Sequence, residues 1–169
     1  MQFIDKTAAV EASSFYCDKT QIANDIKVTL PEIVFQTVEA DIMGAVDIPV
    51  MSRLEAMETS ATINGMNKHI TTLCKPGKKN LDVRWLENIV DKDGNVTQKG
   101  RKALMQAFPK KVFPGGDIEP GNNTDYEIPF TVLAIEVFEE GTSILKVNRL
   151  TREIVINGTK IPVIDTNYL

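Results

Sequence analysis

The stretch Thr151–Asp165, T-R-E-I-V-I-N-G-T-K-I-P-V-I-D, decides the fold. Its Asn157-Gly158 pair sits between two runs of alternating apolar and polar residues. Asn and Gly accept the positive φ that a type I′ turn demands at both central positions, so the pattern specifies a β-hairpin. Strands are expected over 152–156 and 159–164. Ile154 and Ile156 alternate with Val155, and Ile161 and Val163 precede Ile164, so both faces of the hairpin are apolar. One face suits the chain's own core. The other asks for a neighbouring surface.

Working back from this hairpin, most of the chain reads as strand. Thr142 to Leu150 and Tyr126 to Phe138 are nearly continuous β pattern. Ahead of them lies a Gly/Pro/Asn/Asp-rich loop, V-F-P-G-G-D-I-E-P-G-N-N-T-D. Loops of that length are functional or mobile. Leu81, Val83 and Trp85 alternate in a strand that turns through D-K-D-G-N-V-T-Q-K-G and returns as K-A-L-M-Q-A-F. Met66, Ile70, Leu73 and Cys74 fall at i, i+4, i+7 and i+8, the stripe of a short helix that Pro76-Gly77 stops. Val50 to Ile63 reads as one long strand, 33–42 as another, and M-G-A-V-D-I-P (43–49) as a loop more apolar than a free loop needs to be. Residues 1–25 are weakly patterned. One helix among seven or eight strands joined by short turns predicts a mostly β single domain over 1–169, an antiparallel β-sandwich or barrel with one short flanking α-helix.

Composition narrows the function. The chain has 169 residues, 43% hydrophobic and 25% charged, with a net charge of −4. That is an ordinary globular make-up with enough chain for a real core. The acidic balance argues against a nucleic-acid grip, which needs clustered Lys and Arg. Two cysteines, Cys17 and Cys74, are too few for a disulfide framework or a zinc site and read as plain thiols. The start M-Q-F-I-D-K-T-A-A-V lacks the pattern of a signal peptide, and no apolar run reaches the roughly 18 residues of a membrane span.

No catalytic constellation emerges, and an enzyme is not expected. His69 has no nucleophile or carboxylate placed beside it by any motif. Asp91, Asp93 and Asn95 imitate the start of a calcium loop, but Val96 stands where Gly is needed and Lys102 where Glu is needed. Asp93-Gly94 reads as a hairpin turn instead. Glu55 and Glu58 are separated by an odd number and fall on opposite faces of a continuous strand. Gly115-Gly116 leads into Asp-Ile-Glu-Pro, not into a phosphate loop. The basic segment Gly100-Arg101-Lys102, with Lys110 and Lys111, has few interleaved aromatics and reads as a solvated strand face. No cofactor or metal is implied.

The order of the segments resembles the major tail tube proteins of contractile-tailed bacteriophages and of phage-tail-like bacteriocins. The resemblance runs through L-P-E-I-V-F-Q-T-V-E-A-D-I-M-G-A-V-D-I-P, S-R-L-E-A-M-E-T-S-A-T-I-N-G-M-N and K-A-L-M-Q-A-F-P-K-K-V. It closes on I-L-K-V-N-R-L-T-R-E-I-V-I-N-G-T-K-I-P-V-I-D-T. It covers roughly residues 25–167, and the ordered series is what is specific. It implies a sandwich-like tube fold, hexameric rings, and ring-on-ring stacking into the inner tube of a contractile tail. The implied partners are further copies of the chain, a tail sheath protein, a tape measure protein, and baseplate and tail terminator proteins. DNA is met in transit only, with no membrane anchoring. The implied location is a virion tail or bacteriocin particle assembled in the host bacterial cytoplasm. Two alternatives stand beside it, the tube of a type VI-like injection system and a monomeric β-sandwich binding module.

On that resemblance, residues 40–52 are expected to form an extended inter-subunit loop. Ile42, Met43, Val46, Ile48, Val50 and Met51, together with Ile154 and Ile156, are the expected subunit or ring contacts. The polar faces of inner strands would line the lumen, with Gln36, Arg53, Glu55, Glu58, Ser60 and Thr62 as candidates. A conduit for DNA would carry a net acidic lumen, since like charge keeps DNA from sticking.

Overall fold

The computed structural model describes residues 8–162 and Asn167. Residues 1–7 of the N-terminal segment, and Val163 and Ile164 of the expected closing strand, lie outside the described residues.

The long strands form an antiparallel ladder. β7 (Lys79–Val90) pairs with β8 (Val96–Pro109), and β8 with β9 (Asp125–Glu139). β9 continues into β10 (Thr142–Asn148), β11 (Glu153–Ile156) and β12 (Thr159–Lys160). On the other side of β7 lie β1 (Ala8–Cys17) and β2 (Thr20–Asn24). β9 is long enough to be shared. Its first half pairs with β6 (Glu58–Asn64), which pairs with the short β3 (Lys27–Thr29). Ten strands therefore belong to one branched sheet. The expectation of antiparallel β structure with one short helix holds. The sheet is open, however, and no closed barrel forms among the described residues, because β2 and β12 end the strand order.

Local chemistry explains the turns. Asn157 and Gly158 have φ of 50° and 79°, as the type I′ geometry requires, and Asp18-Lys19 and Glu140-Gly141 repeat it. Between β7 and β8 the Asp91 carboxylate accepts from the backbone N–H groups of Asp93 and Asn95, both at 2.9 Å. That oxygen closes a turn, as the Asp93-Gly94 pattern predicted. Helix α1 (Lys68–Cys74) starts where the Asn67 side chain accepts from the N–H groups of His69 and Ile70. Ile70, Leu73 and Cys74 are buried, but Met66 precedes the helix and is exposed. No helix among the described residues is long and apolar enough to cross a membrane.

Four readings of the sequence are corrected. Residues 8–24 are two strands, not weakly patterned chain, and Phe15 and Cys17 belong to the core. The segment 43–49 is not a loop: β4 (Phe35–Asp41) and β5 (Ala45–Leu54) form a hairpin ribbon whose turn is 42–44. The single strand expected over 50–63 is broken at 55–57 between β5 and β6. Glu55 and Glu58 therefore do not share a strand, and the opposite-face argument lapses.

One hydrophobic core joins the layers. Phe15, Leu81, Val83, Met105, Ile128, Phe130 and Val132 meet Met57, Ala61, Ile63 and the helix residues Ile70 and Leu73. Trp85, Glu87, Arg101 and Glu139 carry the core-side face of β7, β8 and β9 onward. Trp85 Nε1 donates to Glu87 at 2.9 Å, and Arg101 lies 2.8 Å from the Glu139 carboxylate. The loop after β8 lies against β9, where Gly116 is required: a Cβ there would stand 2.9 Å from the Tyr126 ring.

Both cysteines are free and buried. Burial, seconded by the Asp18 carboxylate and opposed by Lys79, pushes the Cys17 thiol up from 9.0 to about 11. The folded state thus holds its proton more tightly than the unfolded chain. The stabilisation is complete below pH 9.0 and is lost as pH rises through about 11. Denaturant unfolding of the wild type between pH 8 and pH 11 should lose stability more steeply than that of Cys17→Ala. Parallel curves for the two proteins would exclude this origin.

Candidate functional site

The ribbon β4–β5 forms a sheet of its own, apart from the branched sheet. Its register sets Gln36 opposite Val50, Val38 opposite Ile48 and Ala40 opposite Val46. Directly opposite residues share a face. One face of the ribbon is therefore Gln36, Val38, Ala40, Val46, Ile48 and Val50, with Ile42 continuing it. The other face sets Glu39 opposite Asp47 and Asp41 opposite Ala45. The ribbon is amphipathic with period two. Among the described residues its apolar face has no covering partner: Val38 and Ile42 are each 60% exposed, Val46 41% and Ile48 44%.

The tip is shaped by the backbone. Met43 holds a φ of 52°, a left-handed conformation uncommon for a side chain of that size, and is fully exposed. Asp41 braces the turn by accepting from the N–H of Gly44 at 3.2 Å. The base is anchored elsewhere. Glu55 N–H donates to Val34 O at 2.8 Å. The Arg149 guanidinium, from the turn after β10, donates to the carbonyls of Glu55 at 3.0 Å and Leu54 at 3.1 Å. Phe35 and Leu54 pack onto the core. The result is an arm with a fixed root and a bare apolar face.

The expected contact residues divide accordingly. Ile42, Val46, Ile48 and Val50 come together on the apolar face, Met43 stands at the tip, and Met51 lies on the opposite parity beside the register shift. Ile154 is buried in the chain's own core and Ile156 is exposed at its rim. Val38 and Ala40 complete the apolar face but were not singled out from the sequence. The alternation V-E-A-D-I from Val38 to Ile42 carries the signal.

The expected lumen residues do not form one surface. Glu58, Ser60 and Thr62 share the face of β6 turned from the core, and Glu58 pairs with Lys110. Gln36 lies on the apolar face of the arm. Arg53 and Glu55 are exposed near its root. His69 is half-buried on α1, its N–H bound to Asn67. Among the described residues no group of three or more His, Cys, Asp or Glu is placed to hold a metal ion.

Comparison with known proteins gives the following. The model of the family described as "Phage tail tube protein FII" matches residues 8–161. A search of curated proteins returns no match. Among solved structures, the chain is similar to one from the PVC sheath-tube complex of an extracellular contractile injection system in the extended state. The TM-score is 0.50 at 14% identity, covering 75% of this chain and 88% of that one. It is also similar to the tube-terminating cap of the anti-feeding prophage, with a TM-score of 0.51 at 15% identity. That match covers 82% of this chain and 93% of the other. At such identities the likeness is one of fold.

Proposed function

We propose, because this chain belongs to the phage tail tube protein FII family, that its copies close into hexameric rings and stack into the inner tube of a contractile tail. It is a structural protein of a tail tube, and its β fold is that of the injection-system tube and cap chains. One observation carries the step to assembly: the β4–β5 arm presents a continuous apolar face with none of the described residues packed upon it. A heterologous contact of that kind, repeated, closes a ring or extends a filament.

In this arrangement the apolar face of the arm lies on an adjacent subunit or on the next ring. Met43 leads, and Ile42, Val46, Ile48 and Val50 follow. Met51 and Ile156 extend the contact, while Ile154 acts from within the core. Polar strand faces line the bore, Glu58, Ser60 and Thr62 from β6 among them, with Gln36, Arg53 and Glu55 near the arm. A sheath surrounds the tube and a terminator caps it, as in the particles to which the similar chains belong. A tape measure protein, a baseplate and the passage of DNA complete the device. Assembly takes place in the bacterial cytoplasm, and no catalytic step is required.

Sizing and negative-stain microscopy of the purified protein test this. Rings or tubes are expected at concentrations where an isolated β domain would remain monomeric. A sharp monomer peak without polymer over a wide concentration range would instead favour a monomeric binding module.

A further inference from the structure

The face of the arm opposite its apolar stripe is acidic. Between Phe35 and Val50 the chain holds three carboxylates, Glu39, Asp41 and Asp47, and no Lys or Arg. The ladder sets Glu39 directly opposite Asp47, with Asp41 further out on the same face. Like charges facing one another across an antiparallel pair disfavour it. All three residues are exposed, and none is ion-paired among the described residues. Asp41 is engaged by the turn, where it accepts from Gly44 N–H. Glu39 and Asp47 are left facing one another without a counter-charge.

The opposite balance stands at the root of the same arm. A cleft of about 220 Å³ lies between β5 and the turn that joins β10 to β11. Arg53, Arg149 and Arg152 line it against one carboxylate, Glu153. Arg149 spends its donors on the carbonyls of Leu54 and Glu55, which are neutral, so its charge is not cancelled. Arg53 and Arg152 are exposed and have no ion-pair partner among the described residues. The turn that presents Arg149 and Arg152 is fixed. The Asn148 side chain accepts from the N–H groups of Leu150 and Thr151 at 2.9 and 3.3 Å, and Arg152 holds a φ of 57°.

The two halves do not meet within one copy. The Glu39–Asp47 pair stands three pairs beyond Gln36 and Val50, about 10 Å along the ribbon. It also lies on the face turned away from Gln36, which borders the cleft. An ion pair needs nitrogen and oxygen within about 4 Å.

We propose, resting on the tube reading above, that the acidic face of the arm docks in the arginine cleft of a second copy, with Glu39 and Asp47 on Arg53 and Arg152. Charge complementarity selects this occupant, and one chain supplies both halves in equal number. The contact is heterologous, so it propagates from copy to copy. Each arm is then held between two neighbours, its apolar face on one and its carboxylates on the other. Guanidinium and carboxylate match in geometry as well as charge. Exposed charges are screened, so the contact sets register and encounter more than it adds affinity, and salt weakens it. It also neutralises Arg53, which in the tube stands near the bore, where a bare cation would hold a passing phosphate backbone.

Charge exchange in the full chain, followed by sedimentation and negative-stain microscopy, tests the contact. Glu39→Arg/Asp47→Arg and Arg53→Glu/Arg152→Glu should each raise the concentration needed for assembly at least about tenfold at low salt. Melting should not change: the first variant exchanges one like-charged pair for another, and the second leaves Arg149 in place. An equal mixture of the two should assemble near the wild-type concentration, because every arm then finds a cleft of opposite charge. Wild-type tubes beside unimpaired assembly of either variant would overturn the contact and leave the tube standing. So would a mixture that fails to recover. A wild type that stays monomeric would overturn the tube reading and the contact together. Intact assembly of Arg53→Glu/Arg152→Glu with loss of binding to a labelled oligothymidine would give the cleft to nucleic acid instead.

Discussion

Replacing Val38 and Ile48 together by Asp is expected to abolish assembly while leaving the subunit folded. The two side chains face one another across the arm, 60% and 44% exposed in the isolated chain. Substitutions at such positions shift the stability of a folded domain by about 0.5 kcal/mol or less. In the assembly proposed above the same side chains would lie against a neighbour. Burying each contributes about 1.5–3 kcal/mol, and a carboxylate in that place is also left without water. Losing at least about 3 kcal/mol per contact raises the concentration needed for assembly by roughly 100-fold. Sedimentation and negative-stain microscopy should show monomer where the wild type forms polymer, with melting temperatures close together. Tubes forming at the wild-type concentration would remove the arm from the interface.

The arm also shows how far the sequence could be read. Gly44 and Pro49 made 43–49 look like a loop, because both break regular structure. In the fold Gly44 belongs to the turn and Pro49 stands opposite Thr37 on an isolated ribbon. A two-stranded ribbon has free edges, where a missing N–H costs little. The apolar run from Ile42 to Met51 was visible, but its completion by Val38 and Ala40 depends on the register of the hairpin.

Strands bounded by Asn157-Gly158, Asp93-Gly94 and the helix stop at Pro76-Gly77 were legible because turn chemistry is local. The pairing of β1 with β7 was not. A-A-V-E-A-S-S-F-Y-C has few large apolar residues before Phe15, and its strand conformation is imposed by the β7 ladder. Nor does alternation alone mark the break at 55–57, where Met57 turns into the core and Arg149 claims the carbonyls of Leu54 and Glu55. The arginine cleft is hidden for a related reason. Arg53 belongs to β5, Arg149 and Arg152 to the turn after β10, and the fold alone brings them together.

Phe130→Ala should be the most damaging single truncation for the fold. Phe130 is fully buried and lies where β9 is shared: it stands opposite Thr59 of β6 and Pro109 of β8. Ile128 and Val132, its neighbours on the same face, are equally buried, and Met57 O accepts from Val132 N–H at 2.9 Å just beyond. The branch cannot collapse around a cavity without parting β6 from β9. The cost therefore belongs at the upper part of the range for such truncations, about 3–5 kcal/mol. At roughly 2–4 °C per kcal/mol for a chain of this size, the melting temperature should fall by about 10 °C or more. Phe130→Leu, which keeps most of the volume, should cost far less. Because residues 55–57 join the root of the arm to β6, Phe130→Ala should also weaken assembly below its melting point, whereas the arm variant fails to assemble with its core intact. Calorimetry and sedimentation on the same samples separate the two. A fall of less than about 3 °C in Phe130→Ala would mean that the branch at β9 repacks and is not the keystone of the core.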